Sequence, residues 1–191
     1  MKKILGIFLM AICMFFASCN SCNRPDPTPV AQGYDYDAVV IDDYDYIASQ
    51  YDTFMFYEAD VVFDTFVSDT NAYVKAIQTV FQVNDTCIRI QHNEDYTTDT
   101  LYDHGYWMEC MPMNARNAVN FDSCMTIIKP YRDKLRNYRM TFRRPLAPPF
   151  PENGQYIFGP GWLFVDAATG EVIEGDDELN EAFLNTETEA K

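Results

Sequence analysis

The chain has 191 residues, of which 48% are hydrophobic and 23% charged, a balance that suits a folded globular domain rather than a disordered one. Twenty-nine acidic side chains against fourteen basic ones give a formal net charge of −15. Such a chain repels phosphate backbones and anionic headgroups, which excludes nucleic acid as a partner and leaves neutral partners, cationic partners, or partners met by a local patch.

The first element is an apolar run. Met1-Lys2-Lys3 leads into Ile4 to Phe16 without a charge, the layout of a secretory signal peptide, and one shorter than the roughly 18 residues a membrane-spanning helix needs. Ala17-Ser18 then precede Cys19, and this F-A-S-C resembles the lipobox of bacterial lipoproteins, with Phe16 standing where leucine is commonest. The resemblance implies removal of residues 1–18, fatty acylation of Cys19, and attachment to the cell envelope through acyl chains instead of a helix. Asn20 after the cysteine implies, in that family, sorting to the outer membrane of a Gram-negative cell, with the membrane face left open. Cys22 is a poorer attachment site, because Asn20 would fall inside its recognition segment. Loss of Lys2 and Lys3 makes the mature chain two charges more acidic still.

Residues 19–50 read as a tether. "NRPDPTPVAQG" is too rich in proline and polar residues to bury itself. "YDYDAVVIDDYDY" is either an acidic aromatic surface or a solvated extension with one short strand. Its D-x-D pairs lack the glycine and distal glutamate of a calcium loop. Residues 51–185 then form the folded domain, and the acidic end, 186–191, is frayed. In "FMFYEADVVFDTFV", Met55, Tyr57, Ala59, Val61 and Phe63 share one face of a half-buried strand, or of two strands in sequence, and Glu58, Asp60 and Asp64 the other. Asp69-Thr70 caps a predicted helix in "NAYVKAIQTVFQV", where Tyr73, Ile77, Val80 and Phe81 recur at helical spacing. "TCIRIQ" reads as a strand with Cys87, Arg89 and Gln91 opposite Ile88 and Ile90. A polar stretch, "HNEDYTTDT", separates it from a strand in "YDHGYWMECMPM".

The second half repeats this order loosely. Asp122-Ser123 caps a helix over "CMTIIKPYRDKLR" that Pro130 kinks or ends. A strand follows in "YRMTFRRPL", then a stiff "LAPPFPENG" connection. Gly159-Pro160-Gly161 suits a type II turn, and Ala168-Thr169-Gly170 suits a hairpin loop with a left-handed glycine. "DDELNEAFL" is a short terminal helix. The expected fold is therefore α+β, an antiparallel sheet packed against one or two helices, with two helix-plus-hairpin halves as a further expectation. Over residues 121–175, Trp162, Phe164, Val165, Asp166, Thr169, Gly170, Glu171 and Val172 give a run that resembles the PepSY-type modules of bacterial envelope proteins and peptidase propeptides. That resemblance implies a module that binds or restrains other proteins, without catalytic residues.

Little else in the sequence carries chemistry. His92 and His104 sit in polar connections twelve residues apart, which fits no zinc motif, and no cofactor is expected. Met108, Cys110, Met111 and Met113 could hold Cu(I), but Met111 and Met113 at strand spacing read as core filling. A thiol nucleophile would need His104 beside Cys110 or Cys124. Outside the cytosol, Cys87, Cys110 and Cys124 are disulfide candidates instead, with Cys87 to Cys110 the favoured pair. Lys129, Arg132, Lys134, Arg136, Arg139, Arg143 and Arg144 concentrate positive charge in an acidic chain. They either neutralise its own carboxylates or, through Arg139 and Arg143 with Trp162 and Phe164, dock an acidic protein or anionic glycan. The sequence thus points to a non-enzymatic, lipid-anchored envelope binding protein, the alternative being a structural subunit of an envelope or surface assembly.

Overall fold

Helix α1 (Tyr36–Gln50) leads into four strands: β1 (Met55–Phe66), β2 (Ala72–Val83), β3 (Thr86–His92) and β4 (Thr98–His104). Helix α2 (Phe121–Ile127) and a 3-10 helix (Lys129–Lys134) then lead into β5 (Arg139–Arg143), β6 (Gln155–Phe158), β7 (Leu163–Asp166) and β8 (Val172–Glu174). The structure, a computed structural model, describes residues 33–66, 72–117, 120–135, 137–146, 152–159 and 161–175. The leader, Cys19, Cys22, most of the tether, Asp69-Thr70, Arg136, the prolines after Leu146, Pro160, the terminal helix and the tail lie outside them. All eight strands form one antiparallel sheet in the order β4-β3-β2-β1-β5-β6-β7-β8. The fold is α+β and dominated by its sheet. Each helix precedes a four-strand meander, and the meanders meet where their first strands pair, Val61 opposite Met140.

Both helices lie on one face of the sheet. Tyr36, Val40 and Ile47 of α1, with Phe121, Cys124 and Met125 of α2, join Phe56, Val61, Phe81, Phe142, Phe158 and Leu163 in one core. The domain therefore begins at Gly33, not at residue 51, and residues 36–50 are not tether. Tyr36, Val40, Asp43 and Ile47 fall on one helical stripe. Asp35 caps the helix by accepting from Ala38 N at 3.1 Å. The stripe is hard to see among aspartates because one of its four members, Asp43, is itself a buried aspartate.

The predicted helix over residues 72–83 is instead strand β2, paired along its length with β1 and, from Ile77 to Val83, with β3. Near its end it is buried on both faces, Phe81 in the core and Val80 in a small cluster on the opposite side. A strand covered twice loses its alternation, and three- and four-residue spacings arise by chance. In β1, Ala59, Val61 and Phe63 face the core as the alternation implies. A register shift between Phe56 and Glu58 reverses the parity below it. Phe56 takes the core position, Met55 is exposed, and Tyr57 joins the small cluster on the other face. The stretch "HNEDYTTDT" is not only a connection, since its end begins β4. The expected strand in "YDHGYWMECMPM" does not continue past β4; among the described residues Met111 and Met113 form isolated bridges to Arg144 and Phe56.

Helix α2 is capped by Asn120, whose Oδ1 accepts from Ser123 N at 2.8 Å, two residues before the expected cap. It gives way to 3-10 turns beside Pro130, which cannot donate into an α-helix. The V-D-x-x-T-G run is a turn closed by its own aspartate. Asp166 accepts from Ala168 N at 2.9 Å, Thr169 N at 2.8 Å and Asn153 Nδ2 at 2.8 Å, and Gly170 supplies the left-handed φ of +75° that follows. Among the described residues no helix is long and apolar enough to cross a membrane.

Candidate functional site

With both helices on one face, the other face of the sheet is open at its centre. Strand alternation brings Glu58, Asp60 and Val62 of β1 to this face, and register places Arg143, Thr141 and Arg139 of β5 directly opposite them. Between these rows and β2 lies a cavity of about 300 Å³, lined by Asp60, Val62, Ala76, Gln78, Gln91, Arg139 and Thr141. Ala76, opposite Val62, contributes only a methyl group to its lining. Asp60 accepts from Thr141 Oγ1 at 2.5 Å. Arg139 is exposed and has no ion pair among the described residues.

The lower end of this face is covered by residues 105–113. Trp107 N donates to Gln82 Oε1 at 2.9 Å, and its ring packs on Tyr57, Val80, Cys87 and Cys110. Beneath this strap Glu58 is 3% exposed, with an Arg143 guanidinium nitrogen at 4.0 Å and the Cys110 thiol at 3.8 Å. Burial and the neighbouring Asp60 charge outweigh Arg143 and push the Glu58 carboxyl up to about 7. Burial first, then Glu58, push the Cys110 thiol up to about 12. Burial also raises Cys87 and, helped by Asp37, Cys124. These thiols stay protonated at neutral pH, the opposite of an activated nucleophile.

The structure brings together some of the expected residues and separates others. Arg139, Arg143 and Phe164 all belong to the helix-free face. Trp162 does not: it is 3% exposed in the core, with the Lys134 ammonium 5.4 Å from its ring centroid. The basic run disperses, since Arg132 donates to Met125 O and covers the Phe66 ring, while Lys134 pairs with Glu174 at 3.0 Å. Cys87 and Cys110 do meet in one cluster, but all three body cysteines are free thiols, so the expected disulfide is not formed. Cys110 instead donates to Tyr57 O at 3.4 Å. Cys124 lies under α2 on the other side of the sheet. Met108 is exposed and Met113 packs against the core.

His92 is not an exposed loop residue. Its Nε2 lies 3.0 and 3.1 Å from the Asp43 carboxylate oxygens, and Nδ1 lies 3.2 Å from Thr98 Oγ1. Thr79 Oγ1 donates to the same carboxylate at 2.6 Å. This buried network ties α1 to β2, β3 and β4. The one sequence signal for it was the place of Asp43 on the apolar stripe of α1. His104 is exposed at the end of β4 and hydrogen bonds to neither Cys110 nor Cys124. Among the described residues no three His, Cys, Asp or Glu side chains are grouped to hold a metal. Gln155, fully buried opposite Arg143, has no partner among the described residues for either amide atom. No family model matches the chain, and neither does any curated protein or solved structure.

Proposed function

We propose that this chain is a lipid-anchored cell-envelope protein whose helix-free sheet face docks another envelope protein. The observation that carries the docking is the cavity at the centre of that face, with the exposed Arg139 guanidinium, unpaired among the described residues, in its lining beside the Gln78 and Gln91 amides. A planar cation beside amides and short side chains is a surface that reads a protruding protein loop. The two helix-plus-meander halves read as diverged copies of one unit, the second keeping the PepSY-like hairpin, and their fusion through β1 and β5 makes the face wide enough for a partner.

Docking is tested with a photo-crosslinking residue at position 91 in the full-length, envelope-bound protein. Arg139→Glu and the cavity-filling Ala76→Trp are each expected to cut the crosslinked adduct at least tenfold, with thermal unfolding unchanged within a few degrees. An adduct that survives both variants overturns the docking face. The anchor rests separately on F-A-S-C: Cys19→Ser is expected to abolish fatty-acid labelling and release the protein from the membrane fraction, and label that persists in the variant rejects it.

A further inference from the structure

The rim of the sheet carries a second surface. Among the described residues β4 has β3 as its only strand neighbour, and all seven of its residues are exposed. Asn93 N donates to Thr97 O and Gly105 N to Asp85 O at the two ends of this hairpin, and every pair between keeps the same register. Antiparallel pairs alternate between bonded and non-bonded. Asp99, Leu101 and Asp103 therefore spend their main-chain groups on β3, while Thr98, Thr100, Tyr102 and His104 turn N–H and C=O outward. Leu101, Tyr102 and Tyr106 are 40%, 58% and 70% exposed along the same rim. Free main-chain groups and apolar side chains together make a template for an added strand.

The charges choose the occupant. Asp99 and Asp103 stand four residues apart on the side of β4 that shares a face with Arg89, and both are exposed. Arg89 pairs with Asp103 at 2.5 Å, and Asn93 donates to Asp99; carboxylate lone pairs remain for more. A second copy of β4 paired antiparallel about Leu101 would set Asp99 against Asp103 of its mate twice over, which like charges oppose. A strand with cations at those places meets both carboxylates in non-bonded pairs, where side chains approach closest. We propose that β4 takes an extended protein segment with two Lys or Arg residues four apart, added as a ninth strand, with Leu101 between the two carboxylates on the same face available to the cationic stems.

The probe is a fluorescein-labelled Thr-Lys-Val-Thr-Val-Lys-Thr peptide, titrated by anisotropy against the full protein. It is expected to bind at least tenfold more tightly than its Lys-to-Glu counterpart, and to lose binding when its strand-facing amides are N-methylated, a change that leaves the protein untouched. Thr100→Pro removes an outward N–H that serves no internal ladder bond, so it should abolish binding without lowering the melting temperature. Asp99→Lys should remove the preference for the basic peptide. Equal affinity for both peptides, or full binding by Thr100→Pro, overturns the proposal. Self-association that Thr100→Pro abolishes would assign the rim to a second copy and overturn it too.

Discussion

Glu58→Gln is expected to stabilise the protein above neutral pH by about 3–4 kcal/mol and to flatten its stability between about pH 4.3 and pH 7. Glu58 is buried beneath the strap with its carboxyl held up to about 7, whereas in the unfolded chain it ionises in the ordinary glutamate range near 4.3. Between those values the folded state holds a proton that the unfolded state has released, so stability is complete below the window and falls as pH rises through it. Each pKa unit is worth about 1.4 kcal/mol, which sets the size of the loss. Glutamine keeps a neutral hydrogen-bonding group at all pH values, and Arg143, about one-third exposed, remains hydrated without its anion. Urea unfolding of both proteins at pH 5, 6, 7 and 8 reads the difference directly, since groups common to both cancel. Parallel curves would mean that Glu58 ionises normally beneath the strap.

What the sequence discloses depends on whether one element or several set a residue's environment. The upper part of β1 is legible because one face meets a core and the other meets water. The β7–β8 turn is legible because Asp166, Thr169 and Gly170 close it locally. Below Val61 the reading fails at one register shift, which exchanges Phe56 for Met55 and Tyr57. In β2 it fails because the strap lays Trp107 and Cys110 over Val80, a contact made across some thirty residues of chain. Helix α1 is hidden for a related reason: Asp43 counts as solvated until Thr79 and His92 arrive from other strands.

The site divides along the same line. Arg139, Arg143 and Phe164 come to the helix-free face by alternation alone, so their grouping is implicit in strand periodicity. Trp162 is adjacent in sequence to Leu163 yet turns into the core next to the β7 start, because the turn at Gly159 and Gly161, both at positive φ, resets direction before the strand begins. The cavity needs Ala76 and Gln91 from strands that pair with β1 only indirectly or at a chosen register. No local pattern can specify that. The free rim of β4 is a property of the whole strand order, and it appears once β5 has paired with β1 instead of β4.

Phe56→Ala should destabilise the protein by about 3–5 kcal/mol, the range for deleting a fully buried phenylalanine ring. Phe56 is 1% exposed, and its ring lies 5.3 Å from Phe81, 6.4 Å from Phe142 and 6.4 Å from Tyr44, centroid to centroid. Those partners come from β2, β5 and α1, so one ring joins both meanders and the first helix. The backbone around it is pinned by Met113 N donating to Phe56 O at 2.9 Å and by the adjacent register shift, so the surrounding strands cannot collapse readily into the space. A cavity that stays open costs more than the lost transfer energy alone. Phe164→Ala, a change of the same atoms on the helix-free face where the ring is only partly buried, should cost far less. Hydrogen exchange in Phe56→Ala is expected to show β1–β3 and β5–β6 losing protection together, as one cooperative unit joined at this ring. Loss confined to the first meander, or a cost under about 1 kcal/mol, would show that the two halves stand on separate cores.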